Sequence, residues 1–229
     1  MKAGLMLPRS RIIVPKPPSR IKLDMAFGVG AGTSLFDKSR YRSHGTISGA
    51  DWATGLHGYC LDFNEAIPDY VSIPAAYTQL NFTSEKFSIV ARVKFDKLTS
   101  YDYICERGLF NKDGYYFLAT PDDAIAIVTN QSTSYQISQT ANGSLTVATW
   151  HTLGVSRNGA SVRLYIDGVD ATSVAGTHTD PKTSSRTFNL GVAEDLTSNP
   201  LDGKMEFLRV FGGIALSTAE HLAYHRCLT

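Results

Sequence analysis

The fold of this chain is decided by one stretch of sequence, WHTLGVSRNGASVRLYIDGVD, which occupies residues 150–170. Apolar residues alternate with polar ones on both sides of Asn158-Gly159, as expected of two half-buried strands. Asn-Gly and Asp-Gly pairs tolerate the positive φ angles that tight hairpin turns require. The stretch therefore predicts a strand meander with turns at Asn158-Gly159 and Asp167-Gly168, and it favours an all-β fold.

After residue 20, the rest of the chain repeats this pattern of short apolar runs separated by turn-forming residues. One run is apolar at every second position, at Phe87, Ile89, Ala91, Val93 and Phe95. This period of two predicts a strand with one buried face. Near the C-terminus, Ser217-Thr218-Ala219-Glu220 matches a capping box and predicts one short helix. With 229 residues, of which 43% are hydrophobic, the chain is long enough for one large all-β domain.

The positive charge of the chain is concentrated at its N-terminus. Residues 1–20 contain four prolines, no acidic residue and five basic residues, which are Lys2, Arg9, Arg11, Lys16 and Arg20. Proline-rich sequence favours an extended chain and opposes helix formation. We therefore expect an extended basic arm over residues 1–20 and a globular domain over residues 21–229. We expect the arm to dock on other protein subunits through Arg9, Arg11, Lys16 and Arg20, with folding back on its own domain as the alternative.

The composition argues against several classes of function. The arm has no aromatic residue between its cations and the remaining residues are net acidic, so we expect no nucleic-acid partner. No apolar run approaches the roughly 18 residues of a membrane-spanning helix, so we expect no membrane partner, and we recognise no secretion signal. Cys60, Cys105 and Cys227 lack metal-binding spacing and suggest no disulfide framework.

Five further segments carry motifs in a characteristic order. They are Asp37–Ile47 (D-x-S…G-T), Gly58–Phe63 (G-x-x-L-x-F), Asp69–Pro74 (D-Y-V-x-I-P), Phe87–Lys94 (F-S-I-x-x-x-V-K) and the final apolar stretch Leu201–Phe211. Together with the central hairpin, these segments resemble the laminin-G-like modules of the concanavalin A-like lectin/glucanase superfamily. The resemblance implies an antiparallel jelly-roll sandwich of two sheets with a short C-terminal helix. Modules of this kind usually bind ligands and seldom catalyse reactions.

The sequence does not favour catalysis. Glycoside hydrolases with this fold carry paired carboxylates on one strand, and the chain has no E-x-D-x-x-E motif of that kind. It also contains no Gly-x-Ser-x-Gly or phosphate-binding-loop motif. We therefore expect no enzyme activity, and a glycoside hydrolase is the least favoured function.

Carbohydrate binding requires exposed aromatic rings together with polar side chains for the sugar hydroxyls. The densest such group lies between residues 101 and 113. The candidate ligand-binding residues are Tyr101, Asp102, Tyr103, Arg107, Asn111 and Asp113, with Trp52 from an earlier loop. The alternative is that half of the candidate tyrosines pack in the sandwich with their hydroxyls at its rim.

Two metal sites stay open at this point. Many family members hold Ca²⁺ at the sandwich rim, and the resemblance implies Asp37, Asp62 and Glu206 as candidate ligands. Gly28 stands where the family commonly has an aspartate, so we commit to no metal and predict no cofactor. His221 and His225 have the i, i+4 spacing of a zinc-binding pair, with packing or solvated histidines as the alternative.

Two functions are consistent with these features. The first is a non-catalytic, carbohydrate-binding or adhesion module that is anchored by its arm on a larger assembly, such as a virion surface. The second is a purely structural capsid decoration or fibre subunit without glycan binding. Either function predicts a location on a virion or another extracellular assembly.

Overall fold

The computed structural model describes residues 20–82 and 86–228, which form the predicted all-β architecture. The strands in chain order are β1 (Ile21–Ala26), β2 (Ser34–Leu35), β3 (Gly45–Ser48), β4 (Asp51–Thr54), β5 (Tyr59–Phe63), β6 (Tyr70–Ile73), β7 (Lys86–Phe95), β8 (Asp102–Leu109), β9 (Asp113–Thr120), β10 (Ala124–Gln131), β11 (Ser134–Thr140), β12 (Trp150–Asn158), β13 (Ser161–Ile166), β14 (Val169–Asp170), β15 (Thr172–Val174), β16 (Phe188–Leu190) and β17 (Gly203–Gly212). A short 3₁₀ helix (Thr78–Leu80) and an α-helix, α1 (Thr218–Leu228), complete the described elements.

The described strands form two antiparallel sheets, which confirms the predicted sandwich. The first sheet has the order β14-β13-β12-β7-β17-β5-β4, and β1 also pairs with β17. The second sheet has the order β15-β11-β10-β9-β8-β16-β6-β3-β2. The chain passes between the sheets repeatedly, for example from β6 to β7 and from β16 to β17, as in a jelly roll.

The central hairpin forms in the predicted stretch, but its first turn lies one residue later than predicted, because Asn158 still pairs with Ser161. Strands β12 and β13 pair from Leu153 opposite Ile166 to Asn158 opposite Ser161. The turn between them is Gly159-Ala160, with a φ of 62° at Gly159. The second turn has φ values of 53° at Asp167 and 81° at Gly168, and two positive φ angles are the mark of a type I′ turn. Local turn chemistry therefore sets the register of this part of the first sheet.

One apolar core fills the space between the sheets. Leu153 of β12 and Ile89 of β7 belong to the same buried cluster as Phe117 of β9 and Ile127 of β10. Each of these side chains is completely buried, and burial of one such side chain is worth about 1.5–3 kcal/mol. The alternating apolar residues of β7 supply this core, as their period of two predicts.

The C-terminal helix α1 covers part of the outer face of the first sheet. Its start is the predicted capping box, in which the Ser217 N–H donates to Glu220 Oε2 at 2.7 Å. His221 stacks on Tyr165, with ring centroids 3.9 Å apart, and its Nε2 lies 2.8 Å from the Ser156 hydroxyl. Burial lowers the pKa of His221 to about 3. The ring of His221 is therefore a packing element between helix and sheet, and not half of a zinc pair.

Little of the predicted arm lies within the described residues. Arg9, Arg11 and Lys16 lie outside them, whereas Arg20 donates from Nη1 to the Gly213 carbonyl oxygen at 2.9 Å. No helix in residues 20–82 and 86–228 is both long and apolar enough to cross a membrane.

Candidate functional site

The outer face of the second sheet carries an apolar row, although it faces away from the core. Across this face, Tyr116 of β9 is opposite Val128 of β10, and Val128 is opposite Ile137 of β11. The adjacent Phe117 points into the core, because successive side chains of a strand alternate between the two faces. Sandwich strands normally place polar residues outside. This apolar row therefore indicates a surface with a role beyond core packing.

The apolar row is the floor of an open groove with a volume of about 420 Å³. Three aromatic side chains at its walls stay half exposed, namely Tyr101 (50%), Phe110 (50%) and Tyr135 (48%). The groove is lined by Tyr101, Tyr103, Phe110, Tyr116, Leu118, Thr120, Val128, Tyr135, Ile137, Gln139 and Asn199. None of these residues is an acid or a base that is charged at neutral pH.

Two aromatic pairs give the groove its shape. Tyr103 and Tyr116 stack at the floor, with centroids 5.0 Å apart and an interplanar angle of 16°. Phe110 and Tyr135 meet at one wall, with centroids 4.7 Å apart. Burial raises the pKa of both Tyr103 and Tyr116 far above the ordinary value, so their hydroxyls stay neutral hydrogen-bonding groups. The groove therefore offers aromatic faces and uncharged polar groups.

A bulge in β8 decides which of the predicted residues reach the groove. The register of β8 against β9 shifts between Tyr103 and Cys105, so that Tyr103 and Glu106 both lie on the outer face. Tyr101 and Tyr103 line the groove. Asp102 instead lies opposite the core residue Ala119 and is buried. Burial raises the pKa of Asp102 to about 7.

Arg107 is completely buried and is not available to a ligand on the outer face. Its guanidinium donates to the carbonyl oxygens of Ala75 at 2.8 Å and Tyr77 at 3.2 Å. Its Nε donates to Asn81 Oδ1 at 3.1 Å. These bonds hold the segment around the 3₁₀ helix in place. Arg107 therefore lies in the interior and not at the ligand-binding position that the sequence suggested.

The remaining predicted site residues stand away from the groove lining. Asn111 lies in the β8–β9 turn with a φ of 56°, and its N–H donates to Asn130 Oδ1 at 3.0 Å. Asp113 lies 3.5 Å from Arg186 at the same end of the hairpin. Trp52 belongs to β4 of the first sheet, where its Nε1 donates to the Gly32 carbonyl oxygen at 2.8 Å. The two sheets therefore separate Trp52 from the tyrosines.

The three candidate calcium ligands are engaged with different protein groups. Asp37 accepts three backbone N–H groups and one serine hydroxyl, at 2.7–2.9 Å. Asp62 pairs with Lys204, and Glu206 pairs with Arg92 at 2.9 Å. Within residues 20–82 and 86–228, no three His, Cys, Asp or Glu side chains are grouped as a metal site requires. The structure does not bring these three acids together.

Several groove residues were not singled out from the sequence, namely Phe110, Leu118, Val128, Tyr135 and Ile137. A signal for some of them exists in the sequence. Strands β9 and β10 are apolar at consecutive positions, for example Tyr115-Tyr116-Phe117-Leu118. A sandwich strand with two apolar faces implies that its outer face is covered or binds something.

The two antiparallel layers and the groove define a β-sandwich of the concanavalin A-like type. Residues 66–220 match the laminin G family model described as Concanavalin A-like lectin/glucanases superfamily. The chain belongs to this family, as its motifs predict. A search of curated proteins finds no match.

Solved structures share the fold at low sequence identity. The binding domain of botulinum neurotoxin DC, in complex with rat synaptotagmin II, matches with a TM-score of 0.69 and 14% identity over 93% of this chain and 53% of that chain. A structure of botulinum neurotoxin type C, whose cell entry depends on interaction with two ganglioside molecules, matches with a TM-score of 0.66 and 14% identity over 93% of this chain and 52% of that chain. This chain thus spans about half the length of the neurotoxin chains.

A shorter relative matches over almost its whole length. Domain 4 of AbnA, a GH43 extracellular arabinanase from Geobacillus stearothermophilus, in complex with arabinotriose, has a TM-score of 0.62 and 17% identity. The match covers 89% of this chain and 97% of that domain. At these identities the similarity establishes the fold alone. None of these comparisons tests the predicted location on a virion.

Proposed function

We propose that this protein is a non-catalytic binding module that holds a neutral carbohydrate in the groove of its second sheet. The observation that carries the proposal is the set of three half-exposed aromatic rings around an uncharged groove of about 420 Å³. Binding sites for small ligands are concave and mostly apolar, with a few polar groups that set orientation. This groove has that composition.

The chemistry of the groove matches a sugar ring. The C–H face of a pyranose or furanose is apolar and packs on an aromatic face, while tyrosine hydroxyls can bond sugar hydroxyls. Tyr103 and Tyr116 already bond each other through their hydroxyls. Gln139, Asn199 and Thr120 add amide and hydroxyl groups at the margins. Since the lining contains no lysine or arginine, we expect neutral sugars to bind better than sialylated or sulfated ones.

The same lining argues against glycoside hydrolysis. Retaining glycosidases need two carboxyl groups about 5–5.5 Å apart on either side of the scissile bond. No acid lines the groove. The two acids of β8, Asp102 and Glu106, lie on opposite faces of the strand and are both buried. The binding domains and the carbohydrate complex among the structural neighbours agree with a binding function.

The proposal is tested with a panel of neutral trisaccharides, among them cellotriose, mannotriose and arabinotriose, together with a sialylated trisaccharide. Tyr101→Ala and Tyr135→Ala each remove one exposed ring, and we expect each to weaken binding about 2- to 13-fold, from the roughly 0.5–1.5 kcal/mol that a stacked ring contributes. Tyr59→Ala is the matched control, because Tyr59 is 50% exposed but belongs to the first sheet. Equal effects in all three variants, or no binding by the wild type, would count against the proposal.

The arm provides a second, separate proposal. Five basic residues and no acid in residues 1–20 suit an anchor on an acidic protein assembly, including a virion surface. Deletion of residues 1–20 is then expected to abolish incorporation into that assembly while trisaccharide binding persists. A truncated protein that still incorporates would exclude the anchoring role. A protein that incorporates but binds no glycan would favour a purely structural subunit.

A further inference from the structure

The row of side chains that forms the groove floor continues beyond the groove as a polar row. Glu106 of β8 lies opposite Tyr116, Asn189 of β16 lies opposite Glu106, and Ser72 of β6 lies opposite Asn189. The centre of this row is buried on both sides of the junction, since the apolar Tyr116 and Val128 are only 4% and 3% exposed. Glu106 is only 3% exposed and Asn189 only 1% exposed.

Two polar atoms of this covered pair have no hydrogen-bond partner. In the described part of the chain, Glu106 Oε2 and Asn189 Nδ2 are both buried and unbonded. The other amide atom, Asn189 Oδ1, accepts from the Ser72 hydroxyl at 3.1 Å. Buried polar groups are nearly always bonded, and each exception in a folded protein calls for an explanation. Here the two atoms, an acceptor and a donor, lie on neighbouring strands.

A loop of residues 193–199, which we name the strap, lies against Glu106. The Glu194 N–H donates to the Glu106 carboxyl, and the Ala193 side chain packs in the cluster of Tyr103 and Tyr116. The side chain of Glu194 pairs with Arg186. At the other end, the Tyr103 N–H donates to the Asn199 carbonyl oxygen at 3.2 Å. The strap thus lies directly over the polar end of the groove.

One residue of the strap, Leu196, has a strained backbone. Leu196 has a φ of 61° and Asn199 a φ of 53°, which place both in the left-handed region. A branched residue such as leucine is rare there, and such residues cluster in ligand clamps and switch segments. The strap is held to the sheet by the Glu194–Arg186 ion pair, by the Tyr103–Asn199 backbone bond and by the buried Ala193. Within the strap, Asp195 accepts three further hydrogen bonds from Thr197 and Ser198.

We propose that the strap opens to admit part of the ligand, and that Glu106 and Asn189 then form a polar subsite for neighbouring sugar hydroxyls. A carboxyl oxygen accepts a hydrogen bond from one sugar hydroxyl, and the amide nitrogen donates a hydrogen bond to the oxygen of the next hydroxyl. Binding would supply both buried atoms with the partners that they lack under the closed strap. This inference rests on the proposed carbohydrate function and extends the site from an aromatic platform to a full recognition site.

The electrostatics of the covered acid agree with this arrangement. Burial raises the pKa of Glu106 to about 9, with Glu194 and Asp195 acting in the same direction, and Arg186 and the Glu194 N–H acting against them. The carboxyl is therefore protonated under the closed strap at neutral pH. When the strap opens, Glu106 regains solvent and ionises as an ordinary carboxylate. A carboxylate is the stronger acceptor for a sugar hydroxyl.

The test uses the full chain and the trisaccharide that binds best in the panel. Glu194→Gln removes the strap's ion pair with Arg186, and we expect it to tighten binding at least threefold and to speed amide exchange in residues 193–199. Arg163→Gln is the matched control, because its ion pair with Asp170 lies on the first sheet. Glu106→Gln and Asn189→Ala are expected to weaken binding at least tenfold, with folding checked by circular dichroism.

The outcomes separate the two proposals. If Tyr135→Ala weakens binding but Glu106→Gln, Asn189→Ala and Glu194→Gln all leave it unchanged, the pair is a buried structural pair only and the subsite is excluded. If no neutral trisaccharide binds the wild type, the carbohydrate function fails and the subsite fails with it. If Glu194→Gln gains trisaccharide affinity and the Glu194→Gln/Glu106→Gln double variant loses that gain, the result supports both the carbohydrate function and the subsite.

Discussion

The buried carboxyl of Asp102 is expected to make the stability of the protein depend on pH. Its Oδ1 accepts the Asp202 N–H at 2.9 Å, while its Oδ2 has no partner among the described residues. Burial raises the pKa of this carboxyl from 3.8 to about 7, and Glu65 and Asp202 add to the effect. The substitution Asp102→Asn keeps the shape and the acceptor oxygen but removes the ionisable proton. Comparison with the wild type therefore measures how much the ionisable group at this buried position lowers the free energy of unfolding.

The size of the effect follows from the two pKa values. Below pH 3.8 the carboxyl is protonated in the folded and the unfolded chain, and it adds no pH dependence. Between pH 3.8 and about 7 the unfolded chain loses this proton while the folded chain keeps it, so stability falls as the pH rises. The fall is about 1.4 kcal/mol for each unit of pH. Above pH 7 the accumulated penalty stays constant, at about 4 kcal/mol.

Urea unfolding followed by tryptophan fluorescence at pH 4, 5, 6, 7 and 8 measures this penalty. We expect wild type and Asp102→Asn to have nearly equal free energies of unfolding at about pH 4, and the variant to be more stable by about 4 kcal/mol at pH 8. With a urea m-value of about 3 kcal/mol/M, the midpoint would differ by more than 1 M. Asp122→Asn, at an exposed turn position, is the control and should follow the wild type.

The reasoning is refuted if the difference between the wild type and Asp102→Asn does not change with pH. It is also refuted if the variant is less stable than the wild type at pH 7. Either result would mean that Asp102 is ionised in the folded protein and is stabilised as a carboxylate. The stability of Asp102→Asn should itself still fall from about pH 4.5 to pH 8, because Glu106 keeps its proton in the folded chain up to about pH 9.

Three further predictions concern residues outside the groove. Arg107→Met leaves buried carbonyl oxygens without donors, so we expect a loss of at least about 3 kcal/mol in urea unfolding, with unchanged trisaccharide affinity of the folded fraction. An affinity loss equal to that of Tyr135→Ala would place Arg107 in the site after all. Gly168→Ala puts a Cβ 2.5 Å from the Leu222 Cα at a φ of 81°, so we expect a loss of about 2 kcal/mol or more and faster amide exchange in α1. Wild-type exchange in that variant would contradict the close contact. Ser217→Ala removes the helix cap, at a cost of about 1 kcal/mol or 2–4 °C in Tm, and an unchanged Tm in calorimetry would argue against the capping box.

The sequence predicts the fold well because the relevant signals are local. Turn residues at Asp167-Gly168 and the apolar period of two in β7 each act over a few residues, and they survive in the folded structure. The helix cap at Ser217 is equally local. Only the position of the first turn differs, since the two central residues are Gly159-Ala160. Local backbone chemistry and binary patterning leave one consistent architecture for such a chain.

The site is harder to predict from sequence because it is assembled across strands. Neighbours in the sequence such as Asp102 and Tyr103 point to opposite faces, so the dense polar and aromatic run at residues 101–113 is divided between core and groove. Phe110 and Tyr135 form one wall only because β8, β9, β10 and β11 pair in a particular register. Residues that are close in the sequence, such as those of 101–113, therefore need not share one site in the folded protein.

By itself, the sequence determined an all-β sandwich of this family, its central hairpin, its C-terminal helix and its cationic N-terminal segment. The tertiary structure alone decided that the outer face of the second sheet is an uncharged aromatic groove and that Glu106 and Asn189 are neighbours beneath a loop. The physical reason is the β8 bulge, which shifts Glu106 to the same face as Tyr103. Such a one-residue change of register depends on the packing of the whole sheet, and no local pattern in the chain encodes it.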